Sequence, residues 1–478
     1  MPDDKSTSPG RKALIVAYHF PPAGGLAAAG SQRILKLAKY LPANGWTPVI
    51  VTARVDNYED YVFIDEAMME RVPAGLEVRR TRVLHLLDPF LRVKKRITGL
   101  FTGQQSEQAR LHRSPGNEYV DPSAASAGGN QSYARASWFQ RLKDGFTDLF
   151  EIPDEVSGWI LPAVLAGRRE IRRGGVDAII ATGRPWTSLV AGAVLKTLYK
   201  KPFIADFRDP WMTNPFRLRY SRIKNNLDAA VESWVIRRSD VIVANTDELA
   251  AEFAERFGDD VAGKCIVARN GFDPDELHLE ELSAVGDANP SVFDLVHAGA
   301  LYGKRDPAVL LEAVARLMDL GAIDAERFRL TLVGPIDLPY DIEGRMSELG
   351  VTDVVRTTGI VSHSESLEAI ADSSMCVLLQ PGTTTQVPSK LYEYVGCGKP
   401  ILAVVNPESA TASLVASRSI GVLAPVNDVI ALADAVLQEY LRFFAEGMAI
   451  VVQDGIKDEF DVRRSAANIA RSMDHLTG

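Results

Sequence analysis

Short apolar runs alternate with amphipathic, helix-period segments along most of the chain. In its first part, the runs that we predict to be β-strands are 13–17, 47–51, 176–181, 203–205, 241–244 and 265–267. A second series follows at 292–296, 330–333, 354–355, 376–379, 401–405 and 422–423. Strands that are apolar on both faces and alternate with helices indicate parallel sheets covered on both sides. We therefore predict an α/β fold of two successive Rossmann-like sandwiches, with a ligand cleft where their strand ends face each other.

Other segments depart from this alternation. Residues 280–290 are polar and acidic, and we interpret them as a linker between an N-terminal domain, 1–278, and a C-terminal domain, 291–459. A last helical segment, 460–478, can pack on either domain. Residues 103–137 are rich in Gln, Ser, Ala, Gly and Asn, which predicts a disordered insertion.

Composition and charge narrow the class of protein. The formal net charge of −9, from 53 basic and 62 acidic side chains, argues against non-specific nucleic-acid binding. The three cysteines lack metal-type spacing and are typical of reduced thiols. Since no signal-peptide core and no run of about 18 apolar residues occurs, we expect a cytoplasmic protein. Residues 90–101 are basic and apolar together, which suits either an anionic membrane surface or a solvated helix face.

The segment 388–400 predicts a short helix that feeds a buried strand. Pro388 suits the first helical position, where its missing N–H costs nothing, and glycines end the helix eight to ten residues later. Lys390 and Glu393 stand three residues apart and share one face. Together with the free N–H groups of the first turn near Ser389, they suit a nucleoside diphosphate and its ribose. A capped surface helix with one ion pair explains the same residues.

A glycine-containing loop, 19–30, follows the first strand and opens the first helix. Gly24 and Gly25 let backbone N–H groups approach a ligand closely, although the loop is neither a Rossmann fingerprint nor a Walker A loop. A flexible turn is the alternative. We include His19 before the glycines and Arg33 after them as acceptor or cleft candidates.

Charged residues follow another predicted strand, at 206–209. Asp206, Arg208 and Asp209 stand at the carboxyl end of a strand, which is where open α/β sheets bind ligands. Buried charges there are costly unless paired or used. We favour a functional role, and we also include Arg184 as a cleft candidate. The alternative is a structural pair, either Asp206–Arg208 or Arg208–Asp209.

The second predicted domain begins with the same plan of strand, glycine loop and helix, at 292–318. Gly299 follows the strand, and Lys304 and Arg305 stand just before the helix. A guanidinium there can bind a phosphate bidentately, although a surface arginine paired with a carboxylate fits equally well. No His/Asp/Glu cluster has metal-ligand spacing, so we expect neither a metal nor another cofactor.

These motifs together resemble the family 4-like retaining glycosyltransferases of the GT-B fold, in particular bacterial members that build surface polysaccharides. The resemblance covers nearly the whole chain except about 85–140. The segments that carry it are Phe20–Gly25, Asp206–Trp211, Asn270–Asp273, His297–Pro307 and Pro388–Tyr394.

The resemblance implies roles for the basic residues and glycines of the donor site. Gly24 and Gly25 would lie over the donor diphosphate. Arg305 matches the second of two basic phosphate-binding positions, and Ala300 occupies the first, so Lys390 would supply the missing charge.

The resemblance also implies how the nucleoside would be held. Glu393 matches the second glutamate of a Glu-x7-Glu motif that holds the ribose, and Thr385 stands where the first glutamate is expected. Val361 would contact the nucleobase through its backbone. Arg208 and Asp209 replace the histidine that the family places in the catalytic site.

The implied activity is transfer of a sugar, hexosyl in type, from a nucleotide-diphosphate sugar to a glycan or lipid-linked acceptor. The configuration would be retained, no metal would be needed, and the work would be done at the inner face of the plasma membrane. A GT-B sugar-nucleotide epimerase and an inactive glycan-assembly scaffold are the alternatives.

Overall fold

The computed structural model describes residues 10–59, 62–84, 151–214, 217, 221–277, 291–447 and 452–478. The predicted insertion 103–137, the basic and apolar segment 90–101 and the linker 280–290 lie outside these residues. The chain divides into two compact units, Met1–Val243 with Ala470–Gly478 and Ala244–Ile469.

The first sheet has seven strands in the order β3-β2-β1-β4-β5-β6-β7. In chain order they are β1 (Arg11–Val16), β2 (Trp46–Ala53), β3 (Glu77–Thr81), β4 (Val176–Gly183), β5 (Phe203–Phe207), β6 (Val241–Ala244) and β7 (Cys265–Val267). The pairs formed by β1 with β2 and with β4 are parallel, and place Leu14 opposite Val49 on one side and Ile179 on the other. All three side chains are fully buried, which explains the continuous apolar runs in the sequence.

Helices alternate with these strands as predicted. They are α1 (Ala28–Tyr40), α2 (Ala67–Glu70), α3 (Ile160–Arg173), α4 (Thr187–Tyr199), α5 (Arg222–Arg238), α6 (Asp247–Phe257), α7 (Asp259–Ala262) and α8 (Pro274–Leu277).

The second sheet has six strands in the order β12-β10-β8-β13-β14-β15, and a separate two-stranded sheet pairs β11 with β9. The strands are β8 (Phe293–Ala298), β9 (Leu301–Tyr302), β10 (Phe328–Val333), β11 (Ile336–Asp337), β12 (Val355–Gly359), β13 (Met375–Gln380), β14 (Ile401–Val405) and β15 (Gly421–Ala424). The helices are α9 (Ala308–Asp319), α10 (Ile342–Glu348), α11 (His363–Asp372), α12 (Ser389–Gly396), α13 (Ala410–Arg418), α14 (Val429–Glu446), α15 (Asp454–Phe460) and α16 (Val462–Thr477).

Strand β13 shows why the second sheet needs helices on both faces. Val377 and Leu379 belong to one buried apolar cluster, and the alternate residues Cys376 and Leu378 belong to another. Successive side chains of a strand point to opposite faces, so each face has its own core. The predicted α/β fold with two parallel sheets is confirmed.

The division between the units differs from the predicted boundary at 278–291. It falls after Val243, and residues 244–277 belong to the second unit. Phe272 and Leu277 lie in one buried cluster with Tyr394 of α12, and a Cβ on Gly396 would stand 2.6 Å from both of these side chains. The first sheet nevertheless includes β7, Cys265–Val267, so the predicted boundary at 278–291 stays a prediction.

The C-terminal helix α16 starts in the second unit and ends in the first. Its last residues, from Ala470 onward, belong to the first unit. There the Asp474 carboxylate accepts a hydrogen bond from the Trp46 indole at 2.8 Å and pairs with Arg11 at 2.7 Å. The predicted segment 460–478, which can pack on either domain, therefore has residues in both units.

Candidate functional site

Helix α12 carries two of the candidate donor-site residues of the second unit, Lys390 and Glu393. It runs from Ser389 to Gly396, so Pro388 is the residue before the helix. The sequence predicts Pro388 as the first helical residue, and this prediction is wrong by one position. Extended backbone at Pro388 (φ −63°, ψ 143°) brings the chain into the helix. Gly398, with φ +71°, then turns it toward β14. The Leu391 N–H donates to the Pro388 carbonyl at 3.2 Å. The two N–H groups before it, those of Ser389 and Lys390, stand at the start of the helix, where backbone N–H groups can bind an anion.

Lys390 and Glu393 form the ion pair that their spacing predicts. The Lys390 Nζ donates to Glu393 Oε2 at 2.6 Å. The Glu393 side chain is 8% exposed and that of Lys390 26% exposed, so the carboxylate lies inside and the ammonium lies toward the surface. The pair therefore presents a cation beside the N-terminus of α12.

The glycine loop after β8 lies against this helix turn. Gly299 has φ +155°, and its N–H donates to the Val333 carbonyl at 2.8 Å. A Cβ on Gly299 would stand 3.8 Å from Lys390 Cγ, so the two segments are in contact range. Gly334 is also required, because a Cβ there would stand 2.6 Å from the Gly299 carbonyl oxygen. The sequence elements 297–305 and 388–393 thus form one site.

His297 belongs to this site, although the sequence alone predicts no role for it. Its Nδ1 lies 3.0 Å from the Val377 carbonyl and must donate to it, because a carbonyl only accepts. Its Nε2 is buried without a hydrogen-bond partner in the described residues. Burial, helped by the charges of Arg305 and Lys390 and partly opposed by the hydrogen bond to Val377, lowers the pKa of His297 to about 4. The imidazole is therefore neutral near pH 7. The sequence feature that could have identified His297 as a site residue is its position at the end of a strand, two residues before Gly299.

Two more basic residues lie in the loop after β9. The Arg305 guanidinium lies 5.4 Å from the centre of the Tyr302 ring. A Cβ on Gly382 would stand 3.5 Å from Lys304 Nζ, so this loop approaches the segment that leads into α12. The charges of Arg305 and Lys390 both lower the pKa of His297, so both predicted phosphate-binding cations lie near this imidazole.

The other donor-site candidates of the second unit lie on loops around it. Val361 is partly buried against the core that contains α12, and its neighbour Ile360 is 83% exposed. Ser389 is the first residue of α12. The Thr385 carbonyl accepts a hydrogen bond from the Thr246 hydroxyl at 2.9 Å, which fixes the loop.

In the first unit, Arg33 and Asp206 are bound to each other. Arg33 Nε and Nη2 donate to the two carboxylate oxygens of Asp206 at 2.9 and 2.7 Å, and Thr182 donates to the same carboxylate at 2.9 Å. The Arg33 and Asp206 side chains are 8% and 0% exposed. Asp206 therefore has a structural partner that differs from Arg208, the partner we had considered. A buried, bidentate pair of this kind positions α1 on the end of β5.

Arg208 is held against backbone carbonyls. Its Nε donates to the Gly183 carbonyl at 2.8 Å and its Nη2 to the Arg184 carbonyl at 2.5 Å. Burial lowers the pKa of Arg208, although the carboxylates of Asp209 and Asp206 partly oppose this. Arg184 itself is exposed, and Asp209 is half-buried. The catalytic roles predicted for Arg208 and Asp209 stay predictions.

The remaining candidates of the first unit stand beside β1. His19 is 8% exposed, and its Nε2 lies 3.4 Å from Glu59 Oε2. Gly24 donates its N–H to the Phe63 carbonyl at 2.7 Å. Gly25 has φ +60° and is exposed, as expected for a residue whose backbone a ligand can approach.

Two general properties complete the description of the site. In the described residues, no group of three or more His, Cys, Asp or Glu side chains is placed to hold a metal ion. Within the same residues, no helix has the length and apolar character needed to cross a bilayer.

Comparisons with known proteins show which families and proteins this chain is similar to. The Glycosyltransferase Family 4 profile matches residues 128–276, and the profile named Glycosyl transferases group 1 matches residues 292–440. The 2-deoxystreptamine glucosyltransferase of Streptomyces kanamyceticus is 25% identical over 352 residues, which are 71% of this chain and 87% of that protein. A D-inositol 3-phosphate glycosyltransferase of Streptomyces bingchenggensis is 25% identical over 181 residues, 36% of this chain and 39% of that protein.

A solved structure shows the same fold. Anabaena Alr3699/HepE in complex with UDP superposes with a TM-score of 0.60 at 15% identity, covering 97% of this chain and 100% of that one. The two family matches together span more than half of the chain. With a Family 4 region followed by a group 1 region, the chain is a glycosyltransferase of the GT-B fold.

Proposed function

We propose that this glycosyltransferase moves a hexosyl unit from a nucleotide-diphosphate sugar to an acceptor hydroxyl and retains the anomeric configuration. The observation that carries the proposal is the Lys390–Glu393 pair at the start of α12, beside Gly299, together with Arg305, whose charge lowers the pKa of the neighbouring His297. Two cations, a carboxylate and a helix N-terminus within one site match a diphosphate and a ribose.

The chemistry follows from where charge develops. As the bond between the sugar and the diphosphate breaks, negative charge grows on the leaving group. Arg305, Lys390 and the first N–H groups of α12 are held in place by the fold before the reaction, so they need not reorganise when that charge appears. Such a site can stabilise the leaving group with its own cations. Glu393, fixed by Lys390, would accept hydrogen bonds from the ribose hydroxyls.

The acceptor side is proposed from the first unit. Asp209 is the carboxylate that we assign to the acceptor hydroxyl, because Asp206 is committed to Arg33. It would orient that hydroxyl and take its proton. Arg184 is exposed at the end of β4 and would contact the acceptor.

We propose a glycan or lipid-linked acceptor, and a role in surface polysaccharide synthesis at the inner membrane face. The basic and apolar sequence of 90–101 supports a peripheral membrane contact. Relatives named for 2-deoxystreptamine and D-inositol 3-phosphate make small polar acceptors a second class to test. A protein that ignored phosphatidylglycerol vesicles at low salt would contradict the membrane contact.

The test is a transfer assay with a panel of nucleotide sugars and three acceptor classes, namely lipid-linked sugars, oligosaccharides and cyclitols. We expect release of one nucleoside diphosphate together with a new glycoside, whose anomeric configuration NMR compares with that of the donor. Lys390→Ala should lose this activity, whereas Lys457→Ala, which removes a surface cation, should keep it. An inverted product would contradict retention, and epimerised donor without transfer would favour the epimerase.

The scaffold alternative rests on two departures from the family pattern, Ala300 and Thr385. It predicts that no nucleotide sugar is consumed under any condition of the same assay. Tight binding of a nucleoside diphosphate without turnover of any donor would support it.

A further inference from the structure

A polar cavity lies in the second unit apart from the site described above. Its volume is about 380 Å³, which is within the range of roughly 300–1,000 Å³ typical of small-molecule sites. The lining side chains with polar groups are Arg269, Arg418, Glu459, Arg464, Ser465 and Asn468.

The cavity lies away from the donor-site cluster. Arg418 is the last residue of α13 and stands just before β15, whose first residue, Gly421, pairs with Ile401 at the start of β14. The cavity is therefore at the amino end of these strands, whereas Gly299 follows the carboxyl end of β8. At the other end of α13, Ala410 donates to the Thr384 carbonyl near α12. Nine helical residues, about 13 Å at 1.5 Å each, separate the two ends.

The charge inside the cavity is predominantly positive, with three guanidinium groups and one carboxylate. Arg418 Nε and Nη2 bind Glu459 bidentately at 2.7 and 2.8 Å, so the charges of these two side chains neutralise each other. Arg418, through its hydrogen bond, lowers the pKa of Glu459 most, and the charges of Arg269 and Arg464 add to the effect. All three cations thus converge on one carboxylate.

Two guanidinium groups retain binding capacity beyond that pair. Arg269 pairs with Asp247, whose side chain is 68% exposed and does not line the cavity. In the described part of the chain, the Arg464 guanidinium makes no hydrogen bond or ion pair. Arg464 and Ser465 belong to the first turn of the 16-residue helix α16, whose N-terminal dipole adds to the positive field.

We propose that this cavity binds a phosphate-bearing anion, with Arg464 and Arg269 as its main ligands. Guanidinium groups match phosphate oxygens in pairs, and the three guanidinium groups outnumber the carboxylates of Glu459 and Asp247, so the cavity keeps a net positive charge that suits an anion. The site is separate from the donor site, so a glycosyltransferase of this kind would carry a second phosphate-recognising position. The anion is either a free phosphate compound or a lipid headgroup.

The experiment is a calorimetric titration with inorganic pyrophosphate, without metal ions, on the full chain. The donor site is first silenced with the double variant Arg305→Ala/Lys390→Ala. This variant should still bind one pyrophosphate. Adding Arg464→Ala should weaken that binding at least about tenfold, since one charge-assisted pair is removed. Adding Arg463→Ala should leave it unchanged, because Arg463 is the adjacent residue of the same helix turn but binds Asp461 and does not line the cavity.

Arg464 is exposed, so its variants should fold, and Arg464→Gln repeats the test with a similar side-chain length. Absence of pyrophosphate binding in the double variant, or binding that Arg464→Ala and Arg464→Gln do not weaken, would overturn the proposal. Sedimentation with phosphatidylglycerol vesicles, compared with phosphatidylcholine vesicles, shows whether the bound anion is a lipid headgroup or a free phosphate compound. Arg464-dependent sedimentation would assign a lipid headgroup, and pyrophosphate binding without it would assign a free anion. Because the donor site is silenced, failure of this proposal leaves the proposed function untouched.

Discussion

At the scale of residues, Lys390 and Glu393 show how one helix turn can carry both a cation and an inward carboxylate. The Nζ to Oε2 distance is 2.6 Å, and Glu393 is the more buried partner. A ligand phosphate at the N-terminus of α12 would meet the ammonium, and Glu393 would keep that ammonium in position. The ion pair is therefore part of the proposed donor site as well as of the helix.

We predict that Lys390→Ala lowers turnover by about 100-fold, because one preorganised cation is lost where charge develops. It should also lower the melting temperature, since Glu393 loses its cation in a nearly buried position. Steady-state kinetics and thermal unfolding measure the two effects.

The double variant Lys390→Ala/Glu393→Gln separates the effect of Lys390 on turnover from its effect on stability. Removing the buried charge should restore part of the melting temperature while turnover stays low. Recovery of turnover together with stability would show that Lys390 acts only through the fold. Lys457→Ala, which breaks a surface pair with Asp454, is the control and should change neither quantity.

His297 should make stability depend on pH on the acid side. Burial lowers its pKa from 6.5 to about 4, so between these values the unfolded chain binds a proton that the folded chain does not. Stability should thus fall as pH drops from about 6.5 to 4, with a contribution of roughly 3 kcal/mol from this residue. Denaturant unfolding at pH 7 and pH 4 measures the change.

His297→Asn keeps a side-chain N–H for the Val377 carbonyl but cannot titrate. Its loss of stability between pH 7 and pH 4 should be smaller than that of the wild type. An equal loss in both proteins would assign the acid sensitivity to other groups.

The predictability of contacts depended on their separation in sequence. Lys390 and Glu393 could be paired from sequence because they are three residues apart on a helix. Arg33 and Asp206 are 173 residues apart and meet only when α1 packs on β5. The sequence therefore offered only the neighbouring Arg208 as a structural partner for Asp206, as the alternative to a functional role. The unpartnered nitrogen of His297 likewise depends on tertiary packing.

At the scale of elements, α1 packs against the loop after β5 through a glycine. A Cβ on Gly30 would stand 2.6 Å from Arg208 Nη1, and that guanidinium is held by the Gly183 and Arg184 carbonyls. The helix therefore needs Gly30 for close approach, although glycine lowers helix propensity.

We predict that Gly30→Ala destabilises the protein by about 1–3 kcal/mol, because the clash with a pinned guanidinium outweighs the gain in helix propensity. Chemical denaturation measures the change. Gly263→Ala, where only Asp259 O lies within 4 Å of the added Cβ at 3.6 Å, is the control and should be near neutral. Equal effects of the two substitutions would contradict the packing argument.

Apolar elements were predictable from their pattern, whereas β3, which is charged and partly exposed, and the two-residue strands β9 and β11 were not. The strand predicted at 13–17 is β1, Arg11–Val16, and the helical segment predicted at 460–478 contains α16, Val462–Thr477. Strands β9 and β11 have two residues each, too few to show a period-2 pattern. Their pairing depends on the glycine loops that precede them.

At the scale of the whole molecule, the chain ends by returning to its first unit. Met473 is fully buried, and Asp474 binds both Trp46 and Arg11. The composition of the last residues could not reveal this, because the partners stand more than 400 positions earlier.

We predict that deletion of residues 470–478 destabilises the first unit by about 3 kcal/mol, since a buried methionine and a buried indole hydrogen bond are lost. Hydrogen exchange should rise in β2, which begins with Trp46. Deletion of Gly478 alone is the control. Unchanged protection of β2 in the longer deletion would contradict the assignment.

The central claim is that the second unit binds a nucleoside diphosphate through Arg305, Lys390 and the start of α12. The most direct measurement is calorimetric titration with UDP, GDP, ADP and dTDP, performed in the Arg464→Ala background so that the arginine-lined cavity does not contribute. We predict that at least one nucleotide binds with 1:1 stoichiometry, and that Arg305→Ala/Lys390→Ala weakens it at least about tenfold. Binding of equal strength in both proteins, or no binding by any of the four, would contradict the account.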